Sequence, residues 1–281
     1  MTPVTNEDAN AIRDLLAVDL DVSDLLPTDG ADYGFDNIAD VLSVSPLLFE
    51  RYLSAAGKIS RIALGDPTIK PGSQAYSVSK YERQDDRMDE ALPFASRGGL
   101  AVRHYFPLDA EYTIKISLLR TYTDLIRGMS RPHLMQVRVD GALMQSFTVG
   151  GRQTADGRQK TAEELNEQLR RGDAALEARV PIRAGTHTVG VSFGKENPVS
   201  EGLLRPQFGV TTYEYAGDTE VLPGVASLDI RGPYNGTRPV TTPARERLLT
   251  CRPASQKDER RCATQIVSTF ARMAYRRPVM P

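Results

Sequence analysis

Val180-Pro-Ile-Arg-Ala-Gly-Thr-His-Thr-Val-Gly-Val-Ser-Phe193 alternates apolar with polar or small residues on both sides of a turn signal. Val180 and Ile182 precede Ala184-Gly185. His187, Val189, Val191 and Phe193 then fall on one face at the two-residue period of a strand. The same period runs through the preceding chain. Tyr112, Ile114, Ile116 and Leu118 alternate with Thr113, Lys115 and Ser117, and Met135, Val137 and Val139 alternate with Gln136, Arg138 and Asp140. Asp140-Gly141 is a hairpin signal, because both central residues of a type I′ turn need positive φ. Phe208, Val210 and Thr212, then Leu228 and Ile230, extend the pattern C-terminally. Short strands separated by turns predict an antiparallel β-sandwich, jelly-roll-like, over residues 68–235. Residues 151–178, rich in Glu, Gln, Arg and Ala, read as a polar excursion with a short helix between two strands.

Outside this block the period is helical. Thr5 and Asp8 make a capping-box-like start before Ala9, Ile12, Leu15 and Leu16. Gly34-Phe35-Asp36-Asn37 reads as an Asx-type turn before the next helix, or else as a partner or cofactor loop. Ser45-Pro46 supplies an N-cap and a first-turn proline for a helix striped by Leu48, Tyr52, Ala55, Ala56, Ile59 and Ile62, and Gly65-Asp66-Pro67 stops it. Pro239 and Pro243 give residues 236–250 a linker composition. Residues 255–275 are helical again, with Ile266, Val267, Phe270 and Met273 on one face. The chain thus reads as α+β and multidomain. A small helical N-terminal unit (1–67) precedes the β-sandwich (68–235) and a linker (236–250), and a helical stub (251–281) starts a following domain. That last helix has no sequence after it to pack against, so the expectation is one piece of a longer protein.

Composition narrows the function. The 281 residues hold 35 Lys and Arg against 36 Asp and Glu, a formal charge of −1, which argues against a nucleic-acid partner. No apolar run of about 18 residues exists to span a bilayer. Two cysteines and three histidines make a dense metal cluster unpromising, and the absence of tryptophan removes the commonest sugar-stacking ring. The N-terminus Met1-Thr-Pro-Val-Thr-Asn-Glu-Asp8 has neither a basic nor an apolar signal region. No G-x-S-x-G, P-loop or H-E-x-x-H occurs, so no catalytic constellation is read.

Ala11-Ile-Arg-Asp-Leu-Leu16, Leu26-Pro27, Gly34-Phe-Asp-Asn37, Leu42-Ser-Val-Ser-Pro46 and Glu50-Arg-Tyr-Leu53 together resemble the N-terminal helical unit of planctomycete-type multidomain proteins of unknown function associated with c-type cytochrome domains. Cys251-Arg-Pro253, Cys262-Ala263 and Ala274-Tyr-Arg-Arg-Pro-Val279 resemble the start of that family's next helical domain. Between them, Val137-Arg-Val-Asp-Gly141 and the stretch from Val180 to Phe193 resemble strands of a carbohydrate-binding-like sandwich, nearest to small calcium-dependent xylan-binding modules. The resemblance implies an exported parent, periplasmic or extracellular, whose other domains are partners of this chain. It also implies haem only in a separate domain of the parent, because this chain has no C-x-x-C-H.

Three groups of residues could carry chemistry. Tyr122 and Asp124, Glu196 and Asn197, and Tyr234 and Asn235 each follow an expected strand. Gathered at one end of a sandwich, they would offer ring faces and polar groups to a polysaccharide. Asp85, Asp86 and Asp89, with Glu90, form a carboxylate-dense stretch that could serve calcium, serve a glycosidase as an acid pair, or lie solvated beside Arg83 and Arg87. Cys251 and Cys262 are read as a structural disulfide, a redox or metal pair, or two buried thiols. His187 reads as a core histidine, and His104 and His133 have no nucleophile pattern beside them. The leading expectation is a non-catalytic carbohydrate-binding-like module. The alternatives are a structural or interaction module docking the parent's other domains, and an enzyme using the Asp85–Glu90 carboxylates.

Overall fold

The computed structural model describes residues 5–20, 25, 46–195 and 222–278. Among them the order is α1 (Thr5–Leu16), α2 (Pro46–Leu64), β1 (Gly72–Ser77), β2 (Ser96–Phe106), β3 (Asp109–Leu118), β4 (Pro132–Val139), β5 (Ala142–Gly150), α3 (Ala162–Arg171), β6 (Glu177–Ile182), β7 (Gly185–Gly194), β8 (Val225–Thr237), α4 (Pro243–Leu248) and α5 (Glu259–Tyr275). The strands form two antiparallel four-stranded sheets, ordered β1-β8-β3-β6 and β2-β7-β4-β5. The expected sandwich is present, and its inner faces are the apolar sets of the two-residue period. Tyr112, Ile114, Ile116 and Leu118 of β3 share one core with Met135 and Val137 of β4, Val189, Val191 and Phe193 of β7, and Leu228 and Ile230 of β8. Each such side chain, fully buried, contributes roughly 1.5–3 kcal/mol. The expected strand around Val210 lies outside the described residues.

Local chemistry explains the connections. Asp140 and Gly141 take φ +48° and +78° in the β4–β5 turn, and the Asp140 carboxylate accepts the Thr188 amide at 2.9 Å. The polar excursion carries α3, opened by a capping box in which Thr161 Oγ1 accepts the Glu164 amide and Glu164 Oε2 accepts the Thr161 amide. Through Gln168 Nε2 donating to the Met129 carbonyl at 3.0 Å and the Ile126 amide donating to the Leu169 carbonyl at 2.7 Å, α3 is fastened across the end of the sandwich.

A second core sits outside the sandwich. Leu16 and Val18, Ala55, Ile59 and Ala63 of α2, Tyr105 of β2 and Ala244 of α4 are its buried members, with Phe270 of α5 packed against it. Strand β2 therefore serves two cores: Phe106 points between the sheets while Tyr105 points into the helices. Residues 236–250, expected as a linker, instead hold the end of β8 and all of α4. Their prolines are structural. Pro239 is buried against Gly65, and Pro243 opens α4 behind the Thr242 N-cap. Arg245 Nη1 then donates to the Leu64 carbonyl at 2.5 Å, tying helices from before and after the sandwich together.

Cys251 and Cys262 are joined by a disulfide with Cα atoms 5.4 Å apart, which pins the start of α5. Replacing both by serine is expected to cost roughly 2–3 kcal/mol on the chain-entropy model. The loss should be concentrated in α5, read as faster amide hydrogen exchange there; unchanged exchange in the double variant would contradict it.

Candidate functional site

The outward face of the β1-β8-β3-β6 sheet is built from the polar half of the alternation. Register places Arg179, Thr113, Arg231 and Ser73 in one cross-strand row, and Glu177, Lys115, Asp229 and Ala75 in the next. Opposite charges meet along and between these rows, the arrangement that favours cross-strand pairing. Arg231 Nε donates to Asp229 Oδ2 at 2.7 Å, and Ser73 Oγ donates to Asp229 Oδ1 at 2.5 Å. Lys115 Nζ donates to the Ala174 carbonyl at 3.1 Å.

Glu111 organises the upper edge of this face. Its Oε2 accepts Asn235 Nδ2 at 3.1 Å and Arg179 Nη2 at 2.8 Å, and the Arg179 guanidinium lies 5.6 Å from the centre of the Tyr234 ring. The Asn235 amide and the Arg179 guanidinium hold the Glu111 carboxyl below the usual carboxylate range. Asn235 takes a left-handed backbone (φ +52°) in an irregular stretch of the β3–β8 ladder, which brings its amide onto Glu111. Tyr234 and Asn235 thus sit inside β8 rather than in a loop after it, and their partners Glu111 and Arg179 carried no signal in the sequence reading.

The other expected residues lie elsewhere. Tyr122 and Asp124 follow the C-terminal end of β3, whereas Tyr234 pairs with Glu111 near its N-terminal end. Seven residues of strand separate these points, about 23 Å at 3.3 Å per residue. The two pairs therefore occupy opposite ends of the sandwich and form no common ring of ligands. Asp124 has φ +61° in a tight turn whose amides bond to Thr121, and Arg120 Nη1 donates to its carbonyl at 3.0 Å. The Tyr122 ring is 64% exposed. Glu196, Asn197 and the Gly34–Asn37 turn lie outside the described residues.

The carboxylate stretch is divided among separate partners. Asp85 pairs with Arg83, Asp86 with Lys195 at 3.3 Å, and Asp89 Oδ1 accepts the Ala91 amide at 2.7 Å. Among the described residues no three His, Cys, Asp or Glu side chains are placed to hold one metal ion. Buried Gln84, beside them, does the structural work: its Oε1 accepts the Gly99 and Val225 amides and its Nε2 donates to the Val225 carbonyl. His187 Nδ1 lies 2.5 Å from Asp140 Oδ2, His104 Nδ1 lies 2.8 Å from the Tyr76 hydroxyl, and His133 is buried beside Arg97 and Phe193. No helix among the described residues is long and apolar enough to cross a membrane.

Residues 5–65 match the PSD3 family, described as a protein of unknown function (DUF1587). No curated protein matches the chain. Among solved structures, the CBM35 from Cellvibrio japonicus Abf62 is similar at 12% identity and a TM-score of 0.26, covering 60% of this chain and 99% of that one. The dimeric latent PorU from Porphyromonas gingivalis is similar at 10% identity and a TM-score of 0.26, covering 62% of this chain and 14% of that one. Likenesses at these scores carry no argument about activity. The helical segment is thus similar to a family of unknown function, and the sandwich stands on its own topology.

Proposed function

We propose that the chain is a non-catalytic carbohydrate-binding-like module of a larger exported bacterial multidomain protein, planctomycete-type and cytochrome-associated in its other domains. The observation that carries this reading is the ordered polar face of the β1-β8-β3-β6 sheet, with Tyr234 and Asn235 fixed by Glu111 and Arg179. Donors and acceptors held in place before binding lose little freedom when they meet sugar hydroxyls, and a tyrosine ring offers an apolar surface to a sugar face. A disulfide fits an oxidising compartment, periplasmic or extracellular. Affinity electrophoresis through gels of xylan, cellulose, pectin and sulfated glycans tests it, with calcium or with a chelator. Retention by at least one polymer is expected, with Tyr234→Ala weakening it about tenfold, roughly 1.4 kcal/mol. Retention lost on chelation would assign calcium a part in it. A folded chain retained by none of the polymers would sink the reading.

A structural role docking other domains of the parent is the second reading. It is supported by α2, where Leu47, Phe49 and Leu53 are each more than half exposed. Co-purification of the chain with the parent's other domains, lost when Leu47 and Leu53 are replaced by serine, would favour it.

A further inference from the structure

A cleft of about 430 Å³ opens where the helices meet the outer side of the β2-β7 pair. Arg13 of α1, Arg103 of β2 and Arg247 of α4 line it together with Asp14, Asp19 and Thr186. Three guanidinium groups face two carboxylates there, leaving a formal charge of +1. The pairing inside the cleft is loose. Arg103 reaches Asp19 at 3.3 Å while its side chain stays 70% exposed, a geometry that contributes little to stability. Arg13 Nη2 donates to the neutral Asn10 amide oxygen at 2.6 Å. Arg247 makes no ion pair or hydrogen bond among the described residues. Among the described residues, two of the three guanidinium groups therefore have no carboxylate partner.

The placement of these arginines is fixed by the second core. Arg13 lies one turn before buried Leu16, Asp19 follows buried Val18, Arg103 stands two residues before buried Tyr105, and Arg247 stands three after buried Ala244. Cations contributed by three distant parts of the chain are thus anchored by neighbours packed on one another. Guanidinium groups present paired N–H donors that match two oxygens of one anionic group. The cleft volume falls in the range of small-ligand sites.

We propose that this cleft is a binding site for an oxyanion, a carboxylate, sulfate or phosphate group on a small ligand or a polymer, held by Arg13, Arg103 and Arg247. It is separate from the Tyr234 face and does not depend on the glycan reading. The test is calorimetric titration of the full chain with sodium sulfate, sodium phosphate, glucuronate and polygalacturonate at matched ionic strength. Saturable binding of at least one is expected, weakened tenfold or more in Arg247→Gln and in Arg13→Gln, and unchanged in Arg272→Gln, which removes one exposed positive charge from α5. Tighter binding of the inorganic ions would make the site one for free anions. Tighter binding of the polymer would make it one for a group carried on a chain. Binding equal in wild type, Arg247→Gln and Arg13→Gln, or no binding of any of the four anions, would overturn the proposal.

Discussion

Gly99→Ala is expected to destabilise the fold by about 4 kcal/mol or more. Gly99 has φ +96°, and a Cβ built there would stand 1.9 Å from the Val191 carbonyl oxygen and 2.8 Å from the Ser192 Cα. Both are backbone atoms of β7, the central neighbour of β2, so neither can turn aside as a side-chain tip would. The register shift between Arg97 and Leu100 exists around this glycine, and the Gly99 amide is held by Gln84 Oε1, which also accepts the Val225 amide of the other sheet. A shift large enough to admit a methyl group would strain the β2–β7 ladder and the link between the sheets. Left-handed strain of about 1–2 kcal/mol and overpacking of about 1–3 kcal/mol set the lower part of the cost. Broken hydrogen bonds carry it to about 4 kcal/mol or more, against a typical stability of about 5–15 kcal/mol. Gly141→Ala is the comparison: its φ is +78°, but nothing lies within 4 Å of the added Cβ, so only about 1 kcal/mol should be lost. Urea unfolding followed by far-UV circular dichroism separates the two. Equal midpoints for both variants would show that the bulge is not where β2 is held.

What could be read from the sequence was what local spacing encodes. The alternation at Tyr112–Leu118, Met135–Val139 and His187–Phe193 carries the inner faces of both sheets, because burying one side of a strand forces that period. Asp140-Gly141 carries its own turn. Strand order and direction are decided by distant pairing, which local spacing does not encode. Tyr234 and Asn235 lie at the opposite end from Tyr122 and Asp124 because β8 runs antiparallel to β3. Glu111, which positions Asn235, is one more polar residue in an alternating strand until the ladder brings it there. Gln84 is hidden in the same way, inside a stretch whose charged neighbours suggested a solvated or metal-binding loop. The prolines of residues 236–250 are ambiguous for a different reason. A proline at a helix start and a proline packed on Gly65 have the same composition as a flexible linker.

The half-buried imidazole of His104 is expected to make the fold acid-sensitive in a defined window. His104 points inward from β2, directly across from His187, with its ring centre 4.5 Å from that of Phe106 and its Nδ1 2.8 Å from the Tyr76 hydroxyl. Burial penalises the charged form and pulls its pKa down from 6.5 to about 4. In the unfolded chain the same group keeps its ordinary value, so between pH 6.5 and about 4 the unfolded state binds the extra proton. Stability is therefore full above pH 6.5, falls as the pH drops through this window, and levels off below about 4 as the folded state also protonates. The gap between the two values corresponds to roughly 3 kcal/mol. Glu164, held down to about 2 chiefly by Arg158, acts in a lower window, losing its contribution only as the pH falls below about 4.5. Unfolding free energies of wild type and His104→Gln, measured by urea titration from pH 4 to pH 8, isolate the histidine. At pH 7 the variant should be less stable by about 1 kcal/mol, because Tyr76 loses its ring partner. The difference should shrink and change sign as the pH approaches 4, since glutamine has no proton to gain. Parallel curves over that range would mean that His104 is hydrated in the folded state and that the space between β1 and β2 is open to water.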